Sequence, residues 1–366
     1  MRGFGGASDG DDAAGDGAAG GGAAGGPSAA SAEPAQIRIE RATRNLRSQL
    51  TMPRPNRQRS ARQAANRALK KSLQHPACFS ARVRGARAPC QGRVTHCQRR
   101  GGRLRARALR IASWNVNSIR ARIDHVHRFL REAAPDVLCL QETKVTDADF
   151  PTDTFARAGY ETHRSGEKSY NGVAIVSRHP VSDVRVGFVD GSPNDDRRLI
   201  AGTIGGLRVL SAYIPNGKSL DSPAYEEKLS WLERLTVTLS ADGVPERPLA
   251  LCGDFNVARD DRDVFDPVRW RGQLHCTPRE REALARLIDL GLCDSFREKH
   301  TEAGRYSWWD YRAGSFARDR GLRIDYVWLS SVLQPRLLEA AIDRSPRSWD
   351  KPSDHTPVLV DLDWPL

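Results

Sequence analysis

Closely spaced cysteines are missing from this 366-residue sequence. Its seven cysteines are scattered, none of them forms a Cys-x-x-Cys pair, and their number is odd. The pattern argues against a disulfide framework and is typical of a protein from a reducing compartment. Cys139 and Cys252 lie within apolar runs, so we expect both to be buried as small hydrophobic residues.

Long apolar runs are also missing. No run approaches the roughly 18 residues that a membrane-spanning helix needs, so we expect no contact with a membrane. The first residues lead into Gly, Ala and Asp without an apolar segment, and a secretory signal is therefore not expected. These absences predict a cytoplasmic protein.

Acidic residues are scarce only in the first part of the chain. Residues 1–108 contain 21 Lys and Arg against six Asp and Glu, a net charge of +15. The remaining residues contain 36 Lys and Arg against 39 Asp and Glu, a net charge of −3. All of the basic excess therefore lies in residues 1–108, and polyanion binding by residues 109–366 needs a local basic face.

Residues 1–108 have the composition of an extension without a core of its own. Residues 1–36 are Gly/Ala-rich and residues 37–108 are Arg-rich, with Glu40 as the single acid after residue 36. Three interpretations are open: a nucleic-acid-binding tail, an organelle transit segment, or translated sequence upstream of the true start codon. The second would place the protein in an organelle.

A regular pattern begins at Leu109, and strands outnumber helices from there on. The helices follow pairs of strands rather than every strand, which favours one domain, 109–366, built as a two-sheet sandwich with helices on its outer faces. Gly205-Gly206 predicts a hairpin turn, and Gly253 predicts the end of a strand. Strands are predicted at 109–115, 137–142, 160–164, 173–177, 185–189, 199–204, 207–214, 249–253, 322–329 and 358–362, and helices from about Arg122 to Pro135, at 224–239 and at 278–290.

The stretch at 249–256, Leu-Ala-Leu-Cys-Gly-Asp-Phe-Asn, is the element around which the other motifs are arranged. It reads as a buried strand followed by Asp254 and Asn256, which alternation would direct to the same side of an extended chain. Taken alone, the motif is more often an ordinary strand followed by a turn. Further polar residues at strand ends favour a functional site over an ordinary turn, namely Asn115, Glu142, Tyr213, Asp325, Asp354 and His355.

Carboxylate and amide oxygens dominate this set, and no Cys/His cluster accompanies them. Hard oxygen donors of this kind suit Mg²⁺, with Mn²⁺ as a substitute, and disfavour a structural zinc ion. The sequence therefore predicts a divalent metal site where several strand ends converge.

Five short motifs stand out along residues 109–366: Trp-Asn-Val-Asn at 114–117, Leu-Gln-Glu-Thr-Lys at 140–144, Gly-Asp-Phe-Asn at 253–256, Gly-Leu-Arg-Ile-Asp-Tyr at 321–326 and Lys-Pro-Ser-Asp-His at 351–355. In kind and order they resemble the exonuclease III family of the DNase I-like endonuclease/exonuclease/phosphatase superfamily. The resemblance covers residues 109–366 and implies a four-layer α/β sandwich, two mixed β-sheets packed face to face with helices outside. It implies Mg²⁺-dependent phosphodiester hydrolysis by a monomer, associated with the nucleoid of a bacterium.

The resemblance also implies roles for the strand-end residues. Asp254 would orient or deprotonate the attacking water, with Asn256 as its partner. His355, paired with Asp325, would donate to a phosphoryl oxygen, and Tyr213 would stabilise charge or assist the leaving oxygen. The metal ligands implied are Asn115, Glu142, Asp254, Asn256, Asp354 and His355.

DNA contacts are expected beside this centre. Trp308 would cover Leu322 and Ile324, which alternation places on one face, and the three would form an apolar slot for a baseless sugar turned out of the helix. Asn117 stands where some members of the family carry an acid, which favours the bacterial branch and leaves the number of metals open. Further DNA contacts are expected from Asn117, Arg198, Asn216 and Trp349.

The predicted function is that of a DNA-repair nuclease. It would cleave double-stranded DNA on the 5′ side of abasic sites and trim 3′ ends, including blocked ones. Two alternatives remain open: another phosphoesterase of the superfamily, such as a phosphoinositide phosphatase, sphingomyelinase or RNA deadenylase, or a catalytically inactive relative acting as a regulatory binding protein. Cleavage of an abasic oligonucleotide with and without EDTA separates them.

Overall fold

A computed structural model describes residues 108–191 and 197–366. The predicted extension, apart from residue 108, lies outside these residues, as do Cys78, Cys90 and Cys97. None of the described helices is long and apolar enough to cross a membrane.

In the part of the chain that the structure describes, twelve strands form two six-stranded sheets. The first sheet has the order β11-β12-β1-β2-β4-β3, in which β1 and β2 are parallel and the other neighbours antiparallel. Its strands are β1 (Leu109–Asn115), β2 (Val137–Gln141), β3 (Glu161–Ser165), β4 (Val173–Ser177), β11 (Leu337–Ile342) and β12 (Val358–Leu362).

The second sheet has the same mixed character. Its order is β5-β6-β7-β8-β10-β9, with β7 and β8 parallel and the other pairs antiparallel. Its strands are β5 (Val181–Val186), β6 (Leu199–Ile204), β7 (Leu207–Tyr213), β8 (Leu249–Asp254), β9 (Leu292–Asp294) and β10 (Asp325–Ser330).

Helices cover the outer faces. In one buried cluster, α1 and α2 pack on the first sheet, and in another, α3 and α5 pack on the second. A third cluster fills the space between the sheets. The fold is therefore the predicted four-layer α/β sandwich. The helices are α1 (Ile119–Glu132), α2 (Thr152–Arg157), α3 (Pro223–Ala241), α4 (Pro267–Trp270), α5 (Pro278–Asp289) and α6 (Ser295–Lys299), and short 3₁₀ turns begin at Asp261, Arg312, Ser331 and Ser345.

Alternation along the strands separates the core layers. Cys139 and Cys252 both belong to the cluster between the sheets, and both are fully buried free thiols, as expected. Trp114 and Leu140 point the other way, toward α1. Period-two patterning therefore supplies two buried faces for each central strand, which explains their near-continuous apolar sequences.

Several predicted boundaries are wrong. The first helix begins at Ile119 rather than near Arg122, because the Ser118 hydroxyl caps it by accepting from the Ala121 N–H. The strand predicted at 185–189 is β5, Val181–Val186; a register shift and the left-handed Asp183 (φ 49°) break its alternation. Residues 322–324 do not extend β10, because Leu322 pairs with Trp308 and Val264 instead.

Gly253 lies inside β8 rather than ending it. A Cβ atom at this position would stand 2.0 Å from the carbonyl oxygen of Ala212 on β7. Glycine is thus required by the close approach of two parallel strands. That approach carries the chain directly to Asp254, which lies opposite Tyr213 in the register.

Candidate active site

Strand register brings the candidate residues to one edge of the sandwich. Parallel pairing sets Asn115 opposite Gln141, so Asn115 and Glu142 leave the first sheet together. In the second sheet, Asp254 lies beside Tyr213 on one side and Asp325 on the other. The ends of five strands therefore supply one polar centre between the two sheets.

Glu142, Asp254 and His355 form the heart of this centre. One ligand atom from each lies within 4.8 Å of the others. Glu142 adopts a left-handed backbone (φ 51°), as does Asn256 (φ 51°). Non-glycine residues in this region are strained and tend to occur at functional sites.

The Asn115 amide lies between the two carboxylates. Its Nδ2 donates to Glu142 Oε1 (2.7 Å) and to Asp254 Oδ2 (2.9 Å). Its Oδ1 accepts from the Asn117 backbone N–H at 3.0 Å. Asn115, expected among the metal ligands, therefore orients the acids with its nitrogen, while its oxygen is engaged elsewhere.

His355 pairs with Asp325 as expected: Nδ1 lies 2.9 Å from Asp325 Oδ2. Nε2 faces Asp254 Oδ2 at 3.7 Å. Burial lowers the pKa of His355, but the charges of Asp325 and then Asp254 outweigh it and raise this pKa to about 10. The imidazole is thus doubly protonated at neutral pH. It lies close enough for a metal ligand but has no lone pair to offer, so the geometry favours a proton donor.

Burial raises the pKa of Asp254 to about 7, with Asp325 and Glu142 adding to the shift and His355 opposing it. The carboxylate is held by the Asn256 N–H, which donates to Oδ1 at 2.9 Å. A carboxyl group with this pKa is matched to proton transfer near neutral pH. The geometry suits a group that takes a proton from water.

The Tyr213 phenol stays protonated. Burial raises its pKa well above the usual value, and Glu142 and Asp254 raise it further. The Arg198 guanidinium lies 4.5 Å from the centre of the Tyr213 ring. Tyr213 can therefore donate a hydrogen bond to an anionic oxygen entering the site.

Asn256 and Asn216 meet at the same edge. Asn216 Nδ2 donates to Asn256 Oδ1 at 3.1 Å, and Asn256 Nδ2 donates to the Ile214 carbonyl at 3.0 Å. The left-handed φ of Asn256 means that this residue is not on an extended chain, contrary to the alternation argument. Its side chain still reaches Asp254, with Nδ2 3.3 Å from Oδ2.

Asp354 stands apart from the central three residues. Asn117 Nδ2 donates to Oδ1 at 2.9 Å, and the Trp308 indole N–H donates to Oδ2 at 3.0 Å. Burial opposes ionisation, but His355 and these two donors keep the pKa of Asp354 below its usual value. As arranged, Asp354 anchors Trp308 and Asn117 beside the centre.

The expected apolar slot is closed. Leu322 and Ile324 do lie together with Trp308 against them, but their exposed fractions are 0 % and 1 %. The reason is that residues 322–324 leave the strand and pack into a small core of their own. Only the half-buried Trp308 presents a surface to an entering sugar.

Trp349 does not join the site. Its ring packs edge-on against Trp114 and His125, and Arg128 lies 4.4 Å above it. The expectation of a DNA contact at Trp349 is therefore not supported by its position, because the first helix already occupies the face of the ring.

Several functional side chains were missed. Lys144 Nζ pairs with Glu142 Oε2 at 2.7 Å and contacts Asn117 Oδ1 at 2.6 Å. The Ser307 hydroxyl accepts from the Ile324 and Asp325 N–H groups, both at 3.1 Å. It thereby fixes the backbone of Asp325, the partner of His355. Lys144 lies within the motif at 140–144, which could have indicated its role, whereas no sequence pattern marks Ser307.

A divalent cation fits this centre. Glu142 and Asp254 offer hard carboxylate oxygens that converge beside a neutral amide, the donor chemistry that Mg²⁺ and Mn²⁺ prefer. A cleft of about 770 Å³ opens beside Trp308, and its lining is basic and aromatic: Asn216, Lys218, Arg269, Trp270, Trp308 and Arg312 contribute to it. Lys218, Arg269 and Arg312, against the single acid Asp310, give the lining of this cleft a local excess of basic residues.

Several known proteins are similar to this chain in sequence and fold. Residues 112–355 match the endonuclease/exonuclease/phosphatase family. Exodeoxyribonuclease III of Haemophilus influenzae is 33% identical over 269 residues, covering 69% of this chain and all of that protein. The 3′ phosphatase NExo from Neisseria, solved with a product DNA hairpin, is 40% identical with a TM-score of 0.69, covering 70% of this chain and 100% of that one. An AP endonuclease from Archaeoglobus fulgidus is 39% identical with a TM-score of 0.67, covering 70% and 99%.

Proposed function

This chain belongs to the endonuclease/exonuclease/phosphatase family, as a metal-dependent DNA-repair nuclease of the exonuclease III type, and on that premise we propose its substrates, its metal and the roles of its residues. The substrates are 3′ ends of duplex DNA, including 3′-phosphates, and the phosphodiester on the 5′ side of abasic sites. The observation that carries the proposal is the convergence of Glu142, Asp254 and the Asp325–His355 pair at the edge of a basic, aromatic cleft.

Glu142 and Asp254 are the residues that would hold Mg²⁺, or Mn²⁺ in its place. When bound, the ion supplies a Lewis acid that stabilises charge on a phosphoryl oxygen. Asn115 keeps the two carboxylates at a fixed separation, and Lys144 offsets part of their charge from the solvent side.

Asp254 orients water for in-line attack and accepts its proton, because its raised pKa makes it a competent base near neutral pH. The imidazolium of His355 and the phenol of Tyr213 then donate to the phosphoryl and leaving oxygens as negative charge builds up on them. Asp325 keeps His355 protonated and fixes the direction of its Nε2–H. Asn256 donates its backbone N–H to Asp254 and so sets the direction of the base.

Two structures of related proteins suggest different favoured substrates, and the experiment should separate them. Duplex oligonucleotides carrying a tetrahydrofuran abasic analogue, a 3′-phosphate or an undamaged recessed 3′ end are incubated with Mg²⁺, and in parallel with EDTA. We expect 3′-phosphate removal and 3′ trimming, with incision 5′ to the abasic analogue, all abolished by EDTA.

The outcomes discriminate between functions. Tight DNA binding without hydrolysis of any of the three substrates, under Mg²⁺ or Mn²⁺, would mean that the chain acts as a binding protein. Hydrolysis of inositol phosphates, sphingomyelin or poly(A) RNA, with DNA left intact, would indicate another phosphoesterase of the superfamily. The complete set of acidic groups argues against the binding protein, and the Trp308-Trp309 loop with the Arg-Ile-Asp run at 323–325 argues against another phosphoesterase.

Trp308 offers a test of how a baseless sugar is recognised. Of Trp308, Leu322 and Ile324, the indole alone is only partly buried, and it also holds Asp354 by its N–H. Trp308→Ala should reduce abasic incision about fivefold to a hundredfold more than 3′-phosphate removal, since loss of an aromatic stacking contact costs about 1–3 kcal/mol. Trp308→Phe keeps an aromatic ring but loses the N–H. Its rate of abasic incision should lie between the rates of the unsubstituted protein and Trp308→Ala. Equal losses on both substrates, in step with a lower Tm, would assign Trp308 to the core alone.

The extension is proposed to be dispensable for chemistry. Every site residue lies after Leu109, whereas residues 1–108 contribute a net charge of +15. A chain beginning at Arg107 should keep its kcat on saturating substrate and bind DNA more weakly at low salt, and the difference should disappear as salt rises. Intact-mass measurement of native protein shows whether the extension is present. A shortened chain that folds and binds metal but cannot cleave DNA would contradict the proposal.

We propose further that the protein acts as a monomer in the cytoplasm. The strand ends of one chain supply all of the acids that the reaction uses, so no second copy is needed to complete the centre. Light scattering at working concentration tests the monomer directly.

A further inference from the structure

A fully buried lysine lies behind the active site. The Lys228 side chain, on α3, has no exposed surface, and its partner Glu280 on α5 has none either. Lys228 Nζ contacts three oxygens: Glu280 Oε1 at 2.5 Å, the Asn256 carbonyl at 2.7 Å and the Asn216 carbonyl at 3.3 Å. An ammonium group has three N–H donors, so all of them have an acceptor.

Glu280 is equally well satisfied. Its Oε1 accepts from the His275 N–H (3.1 Å), and its Oε2 accepts from the Thr277 N–H (3.0 Å) and the Thr277 hydroxyl (2.9 Å). It thereby completes the capping box at the start of α5. The Lys228–Glu280 pair therefore connects two outer helices to the loop that carries Asn256.

The carbonyl that Lys228 holds belongs to a strained residue. Asn256 has a left-handed backbone (φ 51°), and its carbonyl oxygen also accepts from His275 Nδ1 at 2.5 Å. On the other side of the same residue, the Asn256 N–H donates to Asp254 and its side chain pairs with Asn216. A displacement of the Asn256 backbone would therefore move both contacts.

Stability alone does not account for a charge pair at this place. The free energy needed to remove two charges from water offsets most of their attraction, so apolar residues of similar size would join α3 to α5 at least as well. An apolar side chain at position 228 would, however, leave the carbonyls of Asn216 and Asn256 without the donor that now brings them together. The ammonium is the part of the pair that an apolar replacement cannot supply.

We propose that Lys228, held by Glu280, is a positioning residue that sets the geometry of Asn256 and Asn216 for phosphoester hydrolysis. The proposal rests on the proposed function and goes beyond it by assigning a catalytic consequence to a residue that touches neither substrate nor metal. Lys228 holds the backbone from which the Asn256 side chain projects. Part of its effect on hydrolysis should therefore depend on that side chain.

A double-mutant cycle tests this dependence. The four proteins are the full chain, Lys228→Met, Asn256→Ala and the double variant, assayed on a 3′-phosphate duplex well below their Tm values. Lys228→Met should lower kcat about tenfold to a hundredfold with KM changed less than threefold, since a small misplacement of a reacting group has effects of about this size. On the Asn256→Ala background, the same substitution should lower kcat by a clearly smaller factor, because the contact between the Asn256 and Asn216 side chains is already absent and only the backbone N–H to Asp254 remains to be displaced.

Stability provides the contrast. Lys228→Met should lower Tm equally on both backgrounds, because it leaves Glu280 buried and unpaired in each. Arg208→Met is the matched control: it removes another buried cation, paired with Asp242 at the opposite end of β7 from Tyr213. It should lower Tm and leave kcat unchanged. Where Lys228→Met does not fold, Lys228→Met with Glu280→Gln replaces it in the cycle, since glutamine at this position still supports the helix cap.

Two results would overturn the inference: an equal loss of kcat on both backgrounds, or no loss of kcat in a Lys228→Met protein that folds. A readout without catalysis separates this failure from failure of the proposed function. Amide hydrogen exchange in residues 254–258 should rise in Lys228→Met and stay unchanged in Arg208→Met, whatever the substrate of the enzyme proves to be.

Discussion

Replacing Asp254 with asparagine should lower kcat by about a hundredfold or more, because general acid–base groups contribute on the order of 10² to 10⁴ in rate. The substitution keeps the shape of the side chain and the hydrogen bond from the Asn256 N–H, but it removes the group that accepts a proton from water and one of the two carboxylates that would hold Mg²⁺. KM should change little. Single-turnover rates on a 3′-phosphate duplex, with Mg²⁺ in excess, give the measurement.

Asp242→Asn is the matched control for this substitution. Asp242 is also a buried aspartate, paired with Arg185 far from the strand ends that form the site. It should lose stability without losing rate. Normal turnover in Asp254→Asn, with the control behaving as expected, would remove Asp254 from the reaction.

Replacing Glu142 with alanine should have the second large effect, on the metal rather than on the base. Substitution of groups that merely orient metal ligands weakens metal affinity by about 10- to 100-fold, so loss of a carboxylate ligand should cost at least the upper end of that range. The Mg²⁺ concentration for half-maximal rate should rise accordingly, and part of the activity should return at high Mg²⁺.

Direct Mn²⁺ binding, followed by the electron paramagnetic resonance of the free ion, checks this without relying on activity. Glu132→Ala, which removes an exposed glutamate paired with Arg128 at the far end of the first helix, is the control and should leave Mn²⁺ affinity unchanged. Unaltered Mn²⁺ affinity in Glu142→Ala would show that the ion is held elsewhere. Asp354 would then be the next candidate, through the oxygens that now accept from Asn117 and Trp308.

Glu142 and Asp254 were predictable because each lies at the carboxyl end of a strongly apolar strand, and the first acid after the apolar run marks that end. Asp325 and His355 instead begin or precede their strands, and the family motifs at 321–326 and 351–355 indicated their roles. The fold class followed from the same strands. The supporting residues carry no such mark, since Lys228 and His275 lie on outer elements and reach the site only through the tertiary structure.

One edge strand of each sheet was not predicted. β11 (Leu337–Ile342) is an edge strand whose residues alternate irregularly between buried and exposed, and β9 has only three residues. Edge strands bury one side and part of the other, so their sequences lack a clear period. The apolar slot failed for a related reason: alternation placed Leu322 and Ile324 on one face, but could not show that Val264 and Ala258 close over it.

The position of β1 between β2 and β12 bears on how the enzyme first becomes active. A ribosome delivers a chain from its amino end, so β1 meets β2 early but waits for β12, the last of the described strands, to pair along its other edge. His355 arrives immediately before that strand. A nascent chain therefore carries Glu142 and Asp254 without the imidazolium that completes the site, and hydrolysis begins only after nearly the whole domain has been synthesised.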